Sequence, residues 1–75
     1  MPKKTALAPD LAGIGKRIRE LRGRERQDDF APFLGITQGQ LSKMERGIVA
    51  PTADVLLRLR QRFGKSVDWI LTGEG

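Results

Sequence analysis

Residues 27–47 read QDDFAPFLGITQGQLSKMERG, and this segment carries the strongest indication of the fold. It contains two short helical patterns, opened by Gln27 and Gln38, with a turn at Gly35 between them. Thr37 and Gln40 have the T-x-x-Q spacing of a capping box, in which each side chain bonds to the backbone N–H of the other residue. The segment therefore predicts two helices, over about 27–34 and 38–46, that meet at a tight glycine turn.

Apolar residues fall on one face of each of these two patterns. Phe30, Ala31 and Leu34 are predicted to face inward from the first, and Leu41 and Met44 from the second, where they are three residues apart. Two helices joined in this way are typical of the DNA-binding helix-turn-helix, whose second helix lies in the major groove. The start of the first helix stays open, because Pro32 removes a backbone hydrogen bond: the helix either starts later, near Asp28, or is kinked.

The flanking sequence predicts three more helices, each with a side chain that caps its N-terminus. The first covers about 11–22, with Asp10 as its cap and Gly23 at its end; the others cover about 53–63 after Thr52 and 67–71 after Ser66. Their predicted inward residues are Leu11, Ile14, Ile18 and Leu21 in the first, and Leu56, Leu59 and Phe63, with Val55 beside them, in the fourth. Five short helices and no strand-like alternation predict one compact all-α domain over residues 10–73.

Composition excludes several classes of function. The 75 residues include no cysteine and no histidine, so thiolate metal sites and the commonest general base are missing. With no phosphate-cradling glycine loop and no carboxylate pair placed for acid–base work, we expect no enzyme, no metal and no cofactor. No apolar run approaches the roughly 20 residues of a membrane span. The net charge of +5 favours a polyanionic partner.

The chain resembles the Cro and phage-repressor-like helix-turn-helix family, also called the XRE family, over about residues 14–73. The similar segments are IGKRIRELRG, the QDDFAPFLGITQGQLSKMERG motif, Pro51-Thr52 and SVDWILTGEG, in that order. The resemblance implies a lambda-repressor-like fold and a sequence-specific transcriptional regulator, most often a repressor. It also implies a homodimer on a palindromic double-stranded operator, in the cytoplasm of a bacterium or encoded by a phage.

The resemblance assigns roles to individual residues. Gln38 matches the first residue of the recognition helix, which reads adenine, and a carboxamide suits the N7 acceptor and N6–H donor of that base. The further candidates for base contact are Gly39, Gln40 and Lys43; those for phosphate contact are Gln27, Thr37, Ser42, Arg46 and Arg22. Gln27 matches the residue that also braces the first residue of the recognition helix. Arg22 and Glu45 match a structural ion pair.

Some positions depart from the family pattern or leave alternatives open. Phe33 stands where a polar residue is usual, so it is either an exposed contact patch or shielded by its neighbours. Trp69, Ile70 and Leu71 are the candidates for a dimer interface; core packing is expected for at least two of them, and either Ile70 or Leu71 is expected to make the contact. Residues 1–9 are expected to be a tail, in which Lys3-Lys4 could act as a basic arm on DNA, and residues 74–75 a tail or the start of a linker. The competing function is an antitoxin or another module that binds a protein partner.

Overall fold

Five α-helices joined by short turns make up residues 8–75, the part of the chain that the computed structural model describes. They are α1 (Leu11–Arg22), α2 (Gln27–Leu34), α3 (Gln38–Glu45), α4 (Ala53–Phe63) and α5 (Val67–Thr72). The predicted all-α, five-helix fold is confirmed. The proposed Lys3-Lys4 arm and most of the predicted tail lie outside the described residues. Between residues 8 and 75, no helix is long and apolar enough to cross a membrane.

The helices begin where their capping side chains predict. Asp10 accepts a hydrogen bond from the backbone N–H of Gly13 at 3.0 Å and caps α1. Thr52 and Ser66 cap α4 and α5 in the same way. Satisfying these otherwise unpaired N–H groups stabilises each helix by about 1 kcal/mol.

Helix α2 begins at Gln27 and continues through Pro32, so the alternative of a later start is wrong. Its N-cap residue, Arg26, provides no side-chain bond. Two other features favour the early start. Asp28 and Asp29 lie in the first turn, where the helix dipole attracts negative charge. The inner face is anchored by buried Phe30, Ala31 and Leu34, whose packing compensates for the hydrogen bond that proline removes.

The core lies between α1, α2, α3 and the inner faces of α4 and α5. It consists of Ile14, Ile18, Phe30, Ala31, Leu34, Leu41, Met44, Val55, Leu59 and Ile70. In α4, Val55 belongs to the buried core and Leu56 packs at its edge, which reverses the order expected from the sequence. Helix α3 packs against both α1 and α2. Its outer face is therefore held on a base formed by α1 and α2.

Arginine side chains tie the C-terminal helices to this base. Nε of Arg17 on α1 donates to the carbonyl oxygen of Ile70 at 2.8 Å, and its Nη2 donates to that of Leu71 at 3.2 Å. Nη1 of Arg58 on α4 donates to the carbonyl oxygen of Phe33 at 3.2 Å, at the end of α2. Helix ends leave carbonyl groups without partners, and these guanidinium groups satisfy some of them.

Candidate nucleic-acid interface

The outer face of α3 is a polar ridge at the surface of the domain. Leu41 and Met44 are buried, and this fixes which side of the helix faces inward. The exposed residues of α3 are Gln38, Gly39, Gln40 and Lys43, and exposed Arg46 follows directly at its C-terminal end. Gly39, Lys43 and Arg46 are spaced four and three residues apart, so they follow one another along the same face.

The start of α3 is fixed by a complete capping box. The backbone N–H of Gln40 donates to Oγ1 of Thr37 at 3.1 Å, and the backbone N–H of Thr37 donates to Oε1 of Gln40 at 2.9 Å. The Gln40 oxygen is thus occupied within the protein. The side-chain NH₂ group of Gln40 is therefore the part of its carboxamide that can still bind DNA or another partner.

Gln38, the first residue of α3, is bonded to α2. Its Nε2 donates to Oε1 of Gln27 at 2.6 Å. Gln38 is exposed and Gln27 is half-buried. Because Gln27 is partly packed into the fold, this bond holds the exposed side chain of Gln38 in place.

Beneath these glutamines lies the ion pair between Arg22 and Glu45. Nε of Arg22 donates to Oε2 of Glu45 at 2.6 Å, and Nη2 donates to Oε1 at 2.9 Å. The side chains are only 15% and 4% exposed, respectively, so water screens the pair weakly. The hydrogen bond that Arg22 donates to Glu45 raises the pKa of Arg22, while burial acts in the opposite direction. Nη1 of Arg22 donates to the carbonyl oxygen of Glu25 at 2.8 Å, so every guanidinium nitrogen has a partner within the fold.

The sequence did not reveal the link between this ion pair and the glutamines. Nε2 of Gln27 donates to Oε1 of Glu45 at 2.9 Å, although the two residues are 18 positions apart. Gln27 and Glu45 had been assigned separate roles, in bracing Gln38 and in pairing with Arg22. No local pattern predicts their contact, because it depends on how the end of α3 meets the start of α2.

The other candidate contact residues surround the start and the outer face of α3. Thr37 is exposed, and Ser42 is half-buried one turn beyond Gln38. Nε of Arg46 donates to the Ser42 hydroxyl at 3.3 Å, so these two form one polar group. Lys43 is exposed and lies one turn beyond Gly39. There is room for a side chain at Gly39, since a Cβ built there would have its nearest neighbour, Thr37 Oγ1, at 3.9 Å, an ordinary van der Waals contact.

The three dimer-interface candidates lie in different environments. Ile70 is 0% exposed and belongs to the core, so its side chain is not available to a second copy and the prediction for it needs correction. Trp69 packs at the edge of the core, with Nζ of Lys65 4.8 Å from its ring centroid. Leu71 is 36% exposed and remains as a surface residue. Of these three side chains on the short helix α5, only that of Ile70 is fully buried, while Trp69 packs against the core from its edge.

Phe33 is shielded, which decides between its two interpretations. It is half-buried and packs against Phe30, with ring centroids 5.9 Å apart. The guanidinium of Arg62 lies 4.8 Å from the Phe33 centroid and 5.4 Å from that of Phe30, and it pairs with Glu25 at 2.7 Å. A cation over aromatic rings contributes about 0.5–1 kcal/mol at such partly exposed sites. Arg62 therefore covers the aromatic cluster and joins it to the turn before α2.

Comparison with known proteins identifies one family. A family model described as "Helix-turn-helix" matches residues 16–70, which is more than half of the chain and includes α2, the turn and α3. No curated protein and no solved structure matches the chain.

Proposed function

Because the chain belongs to this DNA-binding helix-turn-helix family, we propose that it binds double-stranded DNA in a sequence-specific manner, with α3 in the major groove. The family match confirms the resemblance to Cro and phage-repressor-like regulators. We further propose that the protein regulates transcription, most simply as a repressor that covers promoter DNA. Its place of action would be the cytoplasm of a bacterium, where DNA is accessible.

The observation that carries this proposal is the exposed, braced Gln38 at the first position of α3. A base-reading side chain must reach the groove and must keep its donor and acceptor in register with a base edge. Gln38 lies exposed at the start of α3, where it can reach the groove. Its bond to Gln27 holds its donor and acceptor groups in a fixed orientation. Lys43, one turn further along the ridge, suits a guanine or a phosphate. Gly39 and Gln40 complete the base-facing turn, although Gly39 offers only its backbone and Cα there.

The proposed phosphate contacts surround this base-reading turn. They are Gln27, Thr37, Ser42 and Arg46. Such contacts position a protein on the duplex and account for half or more of the hydrogen bonds in interfaces of this kind. Arg22 is assigned to the structural pair with Glu45, because its three guanidinium nitrogens are engaged inside the fold.

If Lys43 and Arg46 bind DNA phosphates, the affinity for duplex DNA depends strongly on salt concentration. Each phosphate neutralised by Lys or Arg steepens the slope of log K against log [salt] by about 0.9. With Lys43 and Arg46 engaged, the affinity for duplex DNA is expected to fall about tenfold or more between 50 and 200 mM salt. Fluorescence anisotropy with a labelled duplex measures this. Lys43→Ala is expected to flatten the slope by about 0.9 if Lys43 contacts phosphate, whereas Lys65→Ala, in the turn between α4 and α5, leaves it unchanged. A slope near zero for the wild type contradicts the proposal.

We also propose that the protein acts as a homodimer, since one recognition helix covers only a few base pairs and related domains bind two half-sites about one helical turn apart. Leu71, exposed on α5, is the proposed contact, with Trp69 beside it. The free chain is expected to be a weak dimer that tightens on DNA. Sedimentation of the protein with and without a duplex tests this, and Leu71→Asp is expected to shift both samples toward monomer. A strict monomer in both wild-type samples contradicts it.

A second candidate function is binding to a protein partner, as in an antitoxin. The favouring observation is the exposure of Leu57 on α4 at 51% and of Ile48, in the loop after α3, at 53%. Large apolar side chains at the surface are common in protein contacts. The salt experiment separates the two functions, because an apolar protein interface survives high salt and a phosphate-binding interface does not.

A further inference from the structure

Four side chains form one continuous path of hydrogen bonds from α1 to the tip of α3. Arg22 donates to Glu45, Gln27 donates to Glu45 at 2.9 Å, and Gln38 donates to Gln27 at 2.6 Å. The path begins at a nearly buried carboxylate and ends at the exposed carboxamide of Gln38.

Every bond in this path has a direction that the chemistry of Glu45 imposes. A carboxylate only accepts hydrogen bonds, so the part of Gln27 that faces it must be the NH₂ group. The oxygen of Gln27 then points the other way, toward Gln38. That oxygen also only accepts, so Gln38 must turn its own NH₂ group toward Gln27. One acidic residue thereby fixes the orientation of two carboxamides, either of which could otherwise turn by 180° and exchange its nitrogen and oxygen.

The result is a defined order of donor and acceptor on Gln38. Its Oε1 lies on the side away from Gln27, and in residues 8–75 it accepts no hydrogen bond. Its second N–H is likewise directed away from the bond to Gln27. An adenine edge, with an N6–H donor and an N7 acceptor side by side, matches one order of these groups and not the reverse.

We infer that Glu45 is a positioning residue for sequence recognition: through Gln27 it sets which way the carboxamide of Gln38 faces, and hence which base Gln38 prefers. This inference rests on the proposed DNA-reading function. It assigns to Glu45 a role beyond holding α1 against α3, because only an acceptor at this position gives the path its direction.

The orientation of the carboxamides is tested first in the free protein, by NMR of the side-chain NH₂ groups of Gln27 and Gln38. In the wild type, one Gln38 NH₂ proton is expected to be shifted away from its partner proton and to exchange slowly with water. Glu45→Gln offers both a donor and an acceptor, so it permits the reversed path, and this signature is expected to disappear. Gln27→Met removes the middle link while leaving the Arg22–Glu45 pair in place, and it provides the same test if Glu45→Gln does not fold.

The matched control is Arg22→Lys. This variant loses the two-pronged contact with Glu45 but keeps the carboxylate as an acceptor for Gln27. Its melting temperature is expected to fall by about 5 °C or more, since a charged hydrogen bond is lost, while the Gln38 NH₂ signature persists. An unchanged NH₂ signature in Glu45→Gln overturns the inference. An equal loss of the signature in Arg22→Lys also overturns it, because the loss would then follow the stability of the fold and not the direction of the hydrogen bonds.

The second measurement compares affinities for a preferred site and for the same site with one base pair exchanged at the position that Gln38 reads. The ratio of the two Kd values is expected to fall about tenfold in Glu45→Gln. In Arg22→Lys the ratio is expected to stay at the wild-type value, whatever its overall affinity. A wild-type ratio retained by Glu45→Gln contradicts the inference and leaves the DNA-reading function standing. A wild type that shows the NMR signature but does not discriminate between bases contradicts the function and leaves the orienting path standing.

Discussion

Gly15→Ala is expected to destabilise the protein strongly, although alanine is the better helix former. Gly15 is buried where α1 crosses the end of α3. An added Cβ would collide with the carbonyl oxygen of Met44 and lie 2.6 Å from that of Glu45. Both obstacles are backbone atoms, which cannot swing aside as a flexible side chain does. The helices would have to separate, and that would also disturb the Arg22–Glu45 pair.

The expected cost of Gly15→Ala is about 3 kcal/mol or more, at or above the upper range for overpacking a core. Alanine's helix propensity returns about 1 kcal/mol at most. For a domain of this size the whole free energy of unfolding is on the order of 5 kcal/mol. Thermal unfolding followed by circular dichroism is expected to show a midpoint lowered by about 10 °C or more.

Gly39→Ala is the matched control for this prediction. Gly39 is also a helical glycine, but a Cβ there has no neighbour closer than 3.9 Å. The same substitution is therefore expected to leave stability unchanged or to raise it by about 0.5 kcal/mol. Equal effects at the two glycines would contradict the close approach of α1 and α3.

Gln38→Ala is expected to remove most discrimination at one base pair of the binding site. A carboxamide bonded to an adenine edge contributes about 1–3 kcal/mol of preference over the wrong base, so specific affinity is expected to fall about tenfold to a hundredfold. Affinity for unrelated duplex DNA is expected to change little, because that binding depends on phosphate contacts. Anisotropy titrations with a specific and a scrambled duplex measure both quantities.

Gln61→Ala is the control for this second prediction. Gln61 is an exposed glutamine of α4, outside the proposed interface, so its loss is expected to leave both affinities unchanged. If Gln38→Ala weakens specific and scrambled duplexes equally, Gln38 contacts the backbone and does not read a base.

The helices were predictable because their signals are local. The caps at Asp10, Thr37, Thr52 and Ser66 and the 3.6-residue spacing of apolar side chains each act within one or two turns. Predicted and observed bounds therefore agree closely, even for α2, where the inner residues outweigh Pro32. The family resemblance then assigned roles to the individual residues of the site.

The tertiary contacts were less predictable, because they join residues far apart in the chain. Nothing near Phe33 indicates that Arg62 covers it, and nothing near Gln27 indicates that Glu45 orients it. The assignment of Ile70 was wrong for a related reason. Periodicity over the short helix α5 does not determine which of three adjacent apolar residues faces the core, and that choice depends on how α1 and α4 pack against it.

Whether α3 reads bases is best tested by selecting binding sites from a random pool of duplex DNA, with Gln38→Ala selected in parallel. We expect enrichment of a two-fold symmetric site whose half-sites are about one helical turn apart. We also expect that one position in each half-site is specified by the wild type and relaxed in the variant. Salt-sensitive binding without enrichment of any sequence would contradict the claim that this protein reads bases through α3.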